Sequence, residues 1–326
     1  MKSTPDISVI VLVYEQPRTL EWQLASLARQ DYRGTFEVIV CDDGSRADTR
    51  SVVDEAAGVY GLDARFISQP HIRPRLSRAR NNGIRLAQGD ALVFLDGDIV
   101  VPPDFLRRHC EALRPRTLVC GHRRSVYLDG QEVPRGADVH DLMRCWQSVA
   151  VDEDGRDQAE RASSAEPWMA CLGCNLSVAR APEIWFDERF IGWGLEDSEY
   201  ACRLVRRGGY AFEYIASLDV LHVDLRSREQ CVQARLSNSH AATVQFIRNN
   251  LYLRSLYPDV DVSPMLRGLL YCFRDPRTDQ WSTRLRTSSR HVWEVIAEAE
   301  DWFRRRGISL DGTPADDADA ALSRTG

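Results

Sequence analysis

Two carboxylates separated by one residue, Asp96 and Asp98, stand directly after the apolar run Ala91 to Leu95. Such a pair suits a hard divalent cation that keeps several waters and also holds a phosphate. Asp-Gly is equally common turn chemistry, so a solvated turn is the plain alternative. Further acidic groups occur at Asp42-Asp43 and at Glu196-Asp197-Ser198-Glu199. The latter opens a helical pattern, where negative side chains favour the positive end of the helix dipole. Cys171 and Cys174 have C-x-x-C spacing, but no second pair stands at a zinc-site distance. The turn Tyr14-Glu15-Gln16-Pro17 holds no glycine, which excludes a dinucleotide-binding G-x-G-x-x-G loop, and no P-loop is present.

The elements that must position these groups follow from hydrophobic patterning. Ile7 to Val13 is β-branched and nearly continuous, as expected of a strand covered on both faces. Pro17 opens a helix carrying Leu20, Leu24 and Leu27. Phe36 to Cys41, Ala64 to Ser68 and Ala91 to Leu95 read as further strands, with helices through Val53 and Ala56 and through Ala79, Ile84 and Ala87 between them. This alternation predicts an α/β fold with a mostly parallel, doubly wound sheet. Ligands bind at the carboxyl ends of such strands, and Asp42-Asp43 and Asp96-x-Asp98 both fall there. From Asp129 to Ala165 the chain is polar with little periodicity and reads as a long loop or lid. A helix is expected from Glu196 to the Gly208-Gly209 stop, then strands at Tyr210 to Tyr214 and Asp219 to Val223. Beyond Arg226 the patterns are helical, with Cys231, Ala234 and Leu236 and later Val292, Val295 and Ile296. The expected organisation is a catalytic domain over 1–225, a helical extension over 226–312 and a disordered tail over 313–326.

Of the 326 residues, 44% are hydrophobic and 28% charged, a globular profile with a net charge of −6. An acidic chain with no basic run is a poor binder of nucleic acid. The apolar run at Ile7 to Tyr14 is too short to span a bilayer and lacks the flanks of a signal peptide. Nine scattered cysteines argue against a disulfide framework. Together these features predict a cytoplasmic protein without a transmembrane segment. Its helical extension is left as a surface for acceptor, for self-association into a homo-oligomer or for peripheral contact with the inner face of the membrane.

Ala79-Arg80-Asn81-Asn82-Gly83-Ile84, Gln88-Gly89-Asp90 and Val93-Phe94-Leu95-Asp96-Gly97-Asp98 together resemble the inverting family 2 glycosyltransferases of GT-A fold. Ile7 to Tyr14 followed by Val38-Ile39-Val40-Cys41-Asp42-Asp43-Gly44-Ser45 matches the opening of that family. Downstream, Gly192-Trp193-Gly194-Leu195-Glu196-Asp197 is similar to a segment shared by β-1,4-galactosyltransferases, chondroitin-type polymerases and polypeptide N-acetylgalactosaminyltransferases. The resemblance implies a GT-A nucleotide-sugar-binding fold, a UDP-sugar donor and a metal-dependent transfer with inversion, with galactose or N-acetylgalactosamine favoured over glucose. Carried over by position, it implies that Asp43 accepts the uracil N–H, that Arg80 lies near the nucleotide, and that Asp98 binds Mn²⁺ or Mg²⁺. Asp96 would sit closer to the ribose or act through water, and His222 would be a further metal ligand, favouring Mn²⁺. Asp197 would be the base, with Glu196 holding the acceptor or orienting that base. Trp193 would be a platform for a sugar ring or a core residue, and Asn175 would bond a donor-sugar hydroxyl or form a turn.

The chemistry such a transfer needs is compatible with these residues. Breaking the anomeric C–O bond leaves charge on the diphosphate, which a bridging cation stabilises, while a carboxylate on the opposite side of the sugar takes the acceptor proton. A glycan, a lipid-linked sugar or a natural product would be the acceptor. Two other classes compete: a nucleotidylyltransferase, which would need a basic Gly-rich loop after the first strand, and a non-catalytic carbohydrate- or partner-binding module on the same fold.

Overall fold

The computed structural model describes residues 4–133, 138–151, 155–236, 239–284 and 289–310. The chain divides into two compact units. The first comprises Met1–Ile72, Leu76–Phe186 and Glu196–Ser227, and the second Arg73–Arg75, Asp187–Leu195 and Arg228–Gly326.

The first unit runs β1 (Ile7–Val13), α1 (Pro17–Leu27), β2 (Phe36–Asp42), α2 (Thr49–Tyr60), β3 (Ala64–Ser68), α3 (Leu76–Leu86) and β4 (Ala91–Asp96). It continues through β5 (Ile99–Val100), α4 (Phe105–Ala112), β6 (Thr117–Tyr127), α5 (Val139–Val149), α6 (Gly155–Ala162), a 3₁₀ turn at Pro167–Ala170, β7 (Asn175–Ala179), α7 (Glu196–Arg206) and β8 (Ala211–Asp224). All eight strands join one sheet in the order β3-β2-β1-β4-β7-β6-β8-β5. The β3-β2-β1-β4 half is parallel, while β7 runs antiparallel to both β4 and β6. This is the α/β class expected, a mixed and mostly parallel sheet flanked by helices.

Local chemistry accounts for the elements. Every residue of β1 is buried, as its unbroken apolar run requires of a central strand. Pro17 starts α1, where its missing N–H costs nothing. Asp48 caps α2 by accepting from the Ser51 N–H, and Gly61 ends that helix in the left-handed conformation. One core face joins Val9, Val11, Val38, Val40, Val93 and Leu95 to Leu20, Leu24 and Leu27 of α1.

Two expectations are corrected, and one strand had none. The segment 129–165, read as a long loop, contains α5 and α6. Asp138 caps α5, and only Val139, Met143 and Trp146 form its buried stripe, so three apolar positions among polar ones hid the helical period. Trp146 meets Trp22 edge-on at 5.3 Å between ring centroids. The two strands expected at 210–214 and 219–223 are one strand, β8, whose register against β6 skips at Gly121 and His122. Strand β6 itself had no sequence signal, because His122, Arg123 and Arg124 interrupt its apolar pattern.

The second unit holds α8 (Arg228–Leu236), α9 (His240–Leu256), a 3₁₀ turn at Met265–Tyr271, the hairpin of β9 (Cys272–Arg274) with β10 (Trp281–Thr283), and α10 (Val292–Arg305). Val295, Ile296, Ala299 and Trp302 form the buried face of α10. The tail expected to be disordered lies outside the described residues. Among the described residues no helix is long and apolar enough to cross a membrane.

Candidate functional site

Parallel pairing sets the acidic strand ends side by side. Val13 is in register with Asp42 and Leu12 with Asp96, so β2 and β4 deliver their carboxylates on either side of the end of β1. After Asp96 the chain turns at Gly97, where a Cβ would stand 2.9 Å from Val13 Cγ2. It then pairs β5 with β8, placing Ile99 opposite His222, and the Val223 N–H donates to the Asp98 carbonyl at 2.8 Å.

This pairing, rather than closeness in sequence, brings His222 to Asp98. Its Nε2 lies 3.2 Å from Asp98 Oδ2, and the Gln16 side-chain amide donates to the same oxygen at 2.6 Å. Burial pushes Asp98 up, but the charge and hydrogen bond of His222 outweigh it and hold the carboxyl below its ordinary value. Burial likewise pushes His222 down, and Asp98 reverses the sign. Asp98 Oδ1 and His222 Nδ1 are buried with no hydrogen-bond partner. Carboxylate oxygen and imidazole nitrogen are donor types that suit a divalent cation of the Mn²⁺ kind. Among the described residues no group of three His, Cys, Asp or Glu side chains forms a cage. A cation here would therefore complete its shell with water and substrate oxygens.

Arg80, on α3, is 2% exposed and joins the two acidic motifs. One guanidinium nitrogen donates to Asp96 Oδ1 at 3.0 Å and the other to Glu196 Oε1 at 2.9 Å. Its plane lies over the Phe186 ring at 5.3 Å. Burial works against its charge, but Asp96 and Glu196 more than compensate and raise its pKa. Burial and the neighbouring Asp197 push Glu196 up to about 7 in spite of Arg80. Asp96 is also raised, chiefly by burial, with Arg80 opposing.

Asp197 lies in the first turn of α7. The Gly173 N–H donates to its Oδ2 at 3.0 Å and the Ser198 N–H to its Oδ1 at 2.8 Å. The site is tight at Gly173, where a Cβ would stand 3.1 Å from Arg80 Nη2 and 3.3 Å from Asp197 Cβ.

At the end of β2, Asp42 accepts from the Gly44 and Ser45 N–H groups and from the Ser68 hydroxyl, which is turn capping. Asp43 is 1% exposed and accepts from the Gln69 amide, which in turn accepts from Asn82 at 3.0 Å. Beside it Tyr14 stacks on His71 with centroids 4.3 Å apart. Sequence reading passed over that aromatic pair, whose only signal was its position after β1 and β3.

Asn175 pairs with Leu95 inside the sheet. It is fully buried in β7, both amide protons are donated, to the His122 and Leu218 carbonyls, and its oxygen meets His109 Nε2 at 3.0 Å. A donor-sugar hydroxyl has no amide proton left to take, so the expectation of a contact is replaced by a role in locking the sheet. Burial holds His109 down at about 4, which keeps it neutral in this network. Trp193 belongs to the second unit and is 65% exposed, so the core alternative falls away. Its ring stacks on Phe246 with centroids 6.1 Å apart. Asn249 holds this loop by donating to the Ile191 carbonyl at 2.9 Å. Gly192 and Gly194 have φ of +81° and +100°, a region that favours glycine.

This sheet, with its acidic strand ends, defines a GT-A-type α/β domain. Residues 8–163 match the family model described as Glycosyl transferase family 2. Over 245 residues the chain is 29% identical to a hyaluronan synthase of Pasteurella multocida, a match covering 68% of this chain and 25% of that one. Over 229 residues it is 31% identical to a validoxylamine A glucosyltransferase of Streptomyces hygroscopicus subsp. jinggangensis, covering 63% of this chain and 52% of that one. The chain thus spans a quarter to a half of the length of these relatives. A solved structure of GalNAc-T7 with UDP, GalNAc and Mn²⁺ shares the fold at a TM-score of 0.54 and 14% identity, over 93% of this chain and 55% of that one.

Proposed function

We propose that the protein transfers a sugar from a UDP-sugar to an acceptor hydroxyl with inversion, using galactose or N-acetylgalactosamine in preference to glucose. The single observation behind this is the Arg80 clamp, which ties the Asp96-x-Asp98 strand end to the Glu196-Asp197 helix start. A diphosphate-side group and a base-side group thereby occupy one rigid site, as a displacement with inversion requires.

In this reading Asp43 accepts the uracil N–H, with Gln69 fixing its carboxylate. Tyr14, stacked on His71, offers a face for the base. Asp98 and His222 would hold Mn²⁺ or Mg²⁺, with Asp96 alongside; the ion would supply electrostatic stabilisation to the leaving diphosphate. Asp197, oriented by the Gly173 and Ser198 N–H groups, takes the proton of the acceptor hydroxyl. The acceptor oxygen bonds to the anomeric carbon as the bond to the diphosphate breaks, and UDP leaves. Glu196 orients that base region through Arg80, and Trp193 offers its exposed ring to a sugar. A natural-product or polysaccharide acceptor is in keeping with the relatives' names. The Gal or GalNAc preference draws on the Gly-Trp-Gly segment, whereas one relative is named a glucosyltransferase.

The test is UDP release from a panel of UDP-sugars that includes UDP-glucose, with Mn²⁺ and with chelator. Release from one donor, abolished by chelator, with product of inverted anomeric configuration by NMR, is the expected result. Silence across the panel together with no UDP binding by calorimetry would overturn the proposal.

A further inference from the structure

The helix α6 carries one side chain into the interior that its own packing does not require. Gln158 is 3% exposed, while Ala159 and Glu160 beside it face solvent. An apolar residue would bury there without a polar cost, so a buried amide is tolerated only if its groups are paired. They are: the amide nitrogen donates to the Gly121 carbonyl at 3.1 Å and to the Ala170 carbonyl at 3.0 Å, and the oxygen meets His122 Nδ1 at 3.0 Å. Tyr214 Oη lies 3.0 Å from the same His122 nitrogen. A satisfied buried network of this kind specifies one arrangement of the segments it joins.

Two of those segments lead to the site. Gly121 and His122 lie where β6 skips register against β8. Ala170 ends the 3₁₀ turn, three residues before Gly173, whose N–H holds Asp197. Between them, Cys120 Sγ approaches the Leu172 N–H at 3.4 Å and the Ala170 carbonyl at 3.7 Å. The segment 170–173 is therefore held at its start by Gln158 and at its end against Asp197.

We propose that Gln158 is a positioning residue for Asp197, acting through the Ala170 to Gly173 segment, so that the seating of α6 on the sheet sets the orientation of the base. This rests on the assignment of Asp197 as base, and the experiment separates the two. In the full-length chain, Gln158→Met keeps the volume and removes all three hydrogen bonds. Gln158→Glu keeps an oxygen for His122 and loses the two donations. Glu160→Gln, on the exposed side of α6, is the control.

Amide exchange measured by NMR reads the positioning without any reference to activity. In Gln158→Met, exchange at Gly173 should rise about tenfold or more, while amides of β1 and β4 stay as in the wild type. In UDP-release assays, kcat per UDP-binding site should fall about tenfold, with the donor KM within about twofold. A loss of packing alone would lower the number of binding sites and the melting temperature and leave kcat per site unchanged. Gln158→Glu should show the same pattern, which covers the case in which the methionine variant does not fold. Unchanged Gly173 exchange in a folded variant overturns the proposal, whatever the enzyme does. If the wild type releases no UDP, the glycosyltransferase proposal fails while the exchange data still decide the positioning role.

Discussion

Arg80→Met is the perturbation whose consequence is most tightly constrained. Methionine keeps much of the side-chain volume and removes the donations to Asp96 at 3.0 Å and Glu196 at 2.9 Å. Glu196 stays buried while Asp96 is partly exposed, and breaking a buried ion pair by deleting one partner costs about 3–5 kcal/mol, carried here mainly by Glu196. Part of that cost is relieved when Glu196 takes up a proton, which makes it pH-dependent. Glu196 already sits at about 7, above its unfolded value of 4.5. The native state thus binds a proton that the unfolded chain has lost, and stability falls as pH rises through that window. Between pH 6 and pH 8 this group therefore lowers wild-type stability as its proton is lost. Without Arg80, which opposes the upward shift, Glu196 holds its proton to higher pH and the fall across this interval is larger. The destabilisation caused by the substitution should therefore grow between pH 6 and pH 8. Amide exchange of β1 and β4 in mild urea, with chelator present, reads the first unit separately from the second. A variant within 1 kcal/mol of wild type, or a difference that does not widen with pH, would refute the clamp as the electrostatic centre of the site.

Other substitutions separate the remaining roles. Asp197→Asn should lower kcat by about a hundredfold or more with UDP affinity unchanged by calorimetry; normal turnover would remove it as base. His222→Gln should weaken Mn²⁺ binding in the presence of UDP about tenfold, read by paramagnetic titration, and an unchanged affinity would exclude the imidazole as a ligand. Asn175→Ala should cost roughly 3 kcal/mol by exchange in the sheet, because it strands two buried carbonyls and His109. Its donor KM should not move, and a large rise would return Asn175 to the donor site.

Much of the fold was legible because its physics is local. The run at β1 announces a doubly covered strand, and Pro17, Asp48 and Gly61 mark helix ends through their own backbone chemistry. The acidic strand ends were legible for the same reason, since a carboxylate after a parallel strand is placed by the sheet rule alone. Strand β6 and helix α5 were not, because their polar residues are paired by distant partners. Arg124, for example, donates to the Gln147 and Ala150 carbonyls at the end of α5.

The amino-acid sequence by itself determined the α/β alternation and which residues carry charge at the strand ends. Tertiary structure decided which of those charges meet. Arg80 and Glu196 are far apart in sequence and in hydrogen-bond contact, as are Asp98 and His222, the latter because β5 pairs with β8. It also decided that Asn175 serves the sheet and not a ligand. Hydrophobic periodicity reports which face of an element is buried, whereas the pairing of buried polar groups depends on register and on the path of the chain in space, which no local pattern encodes.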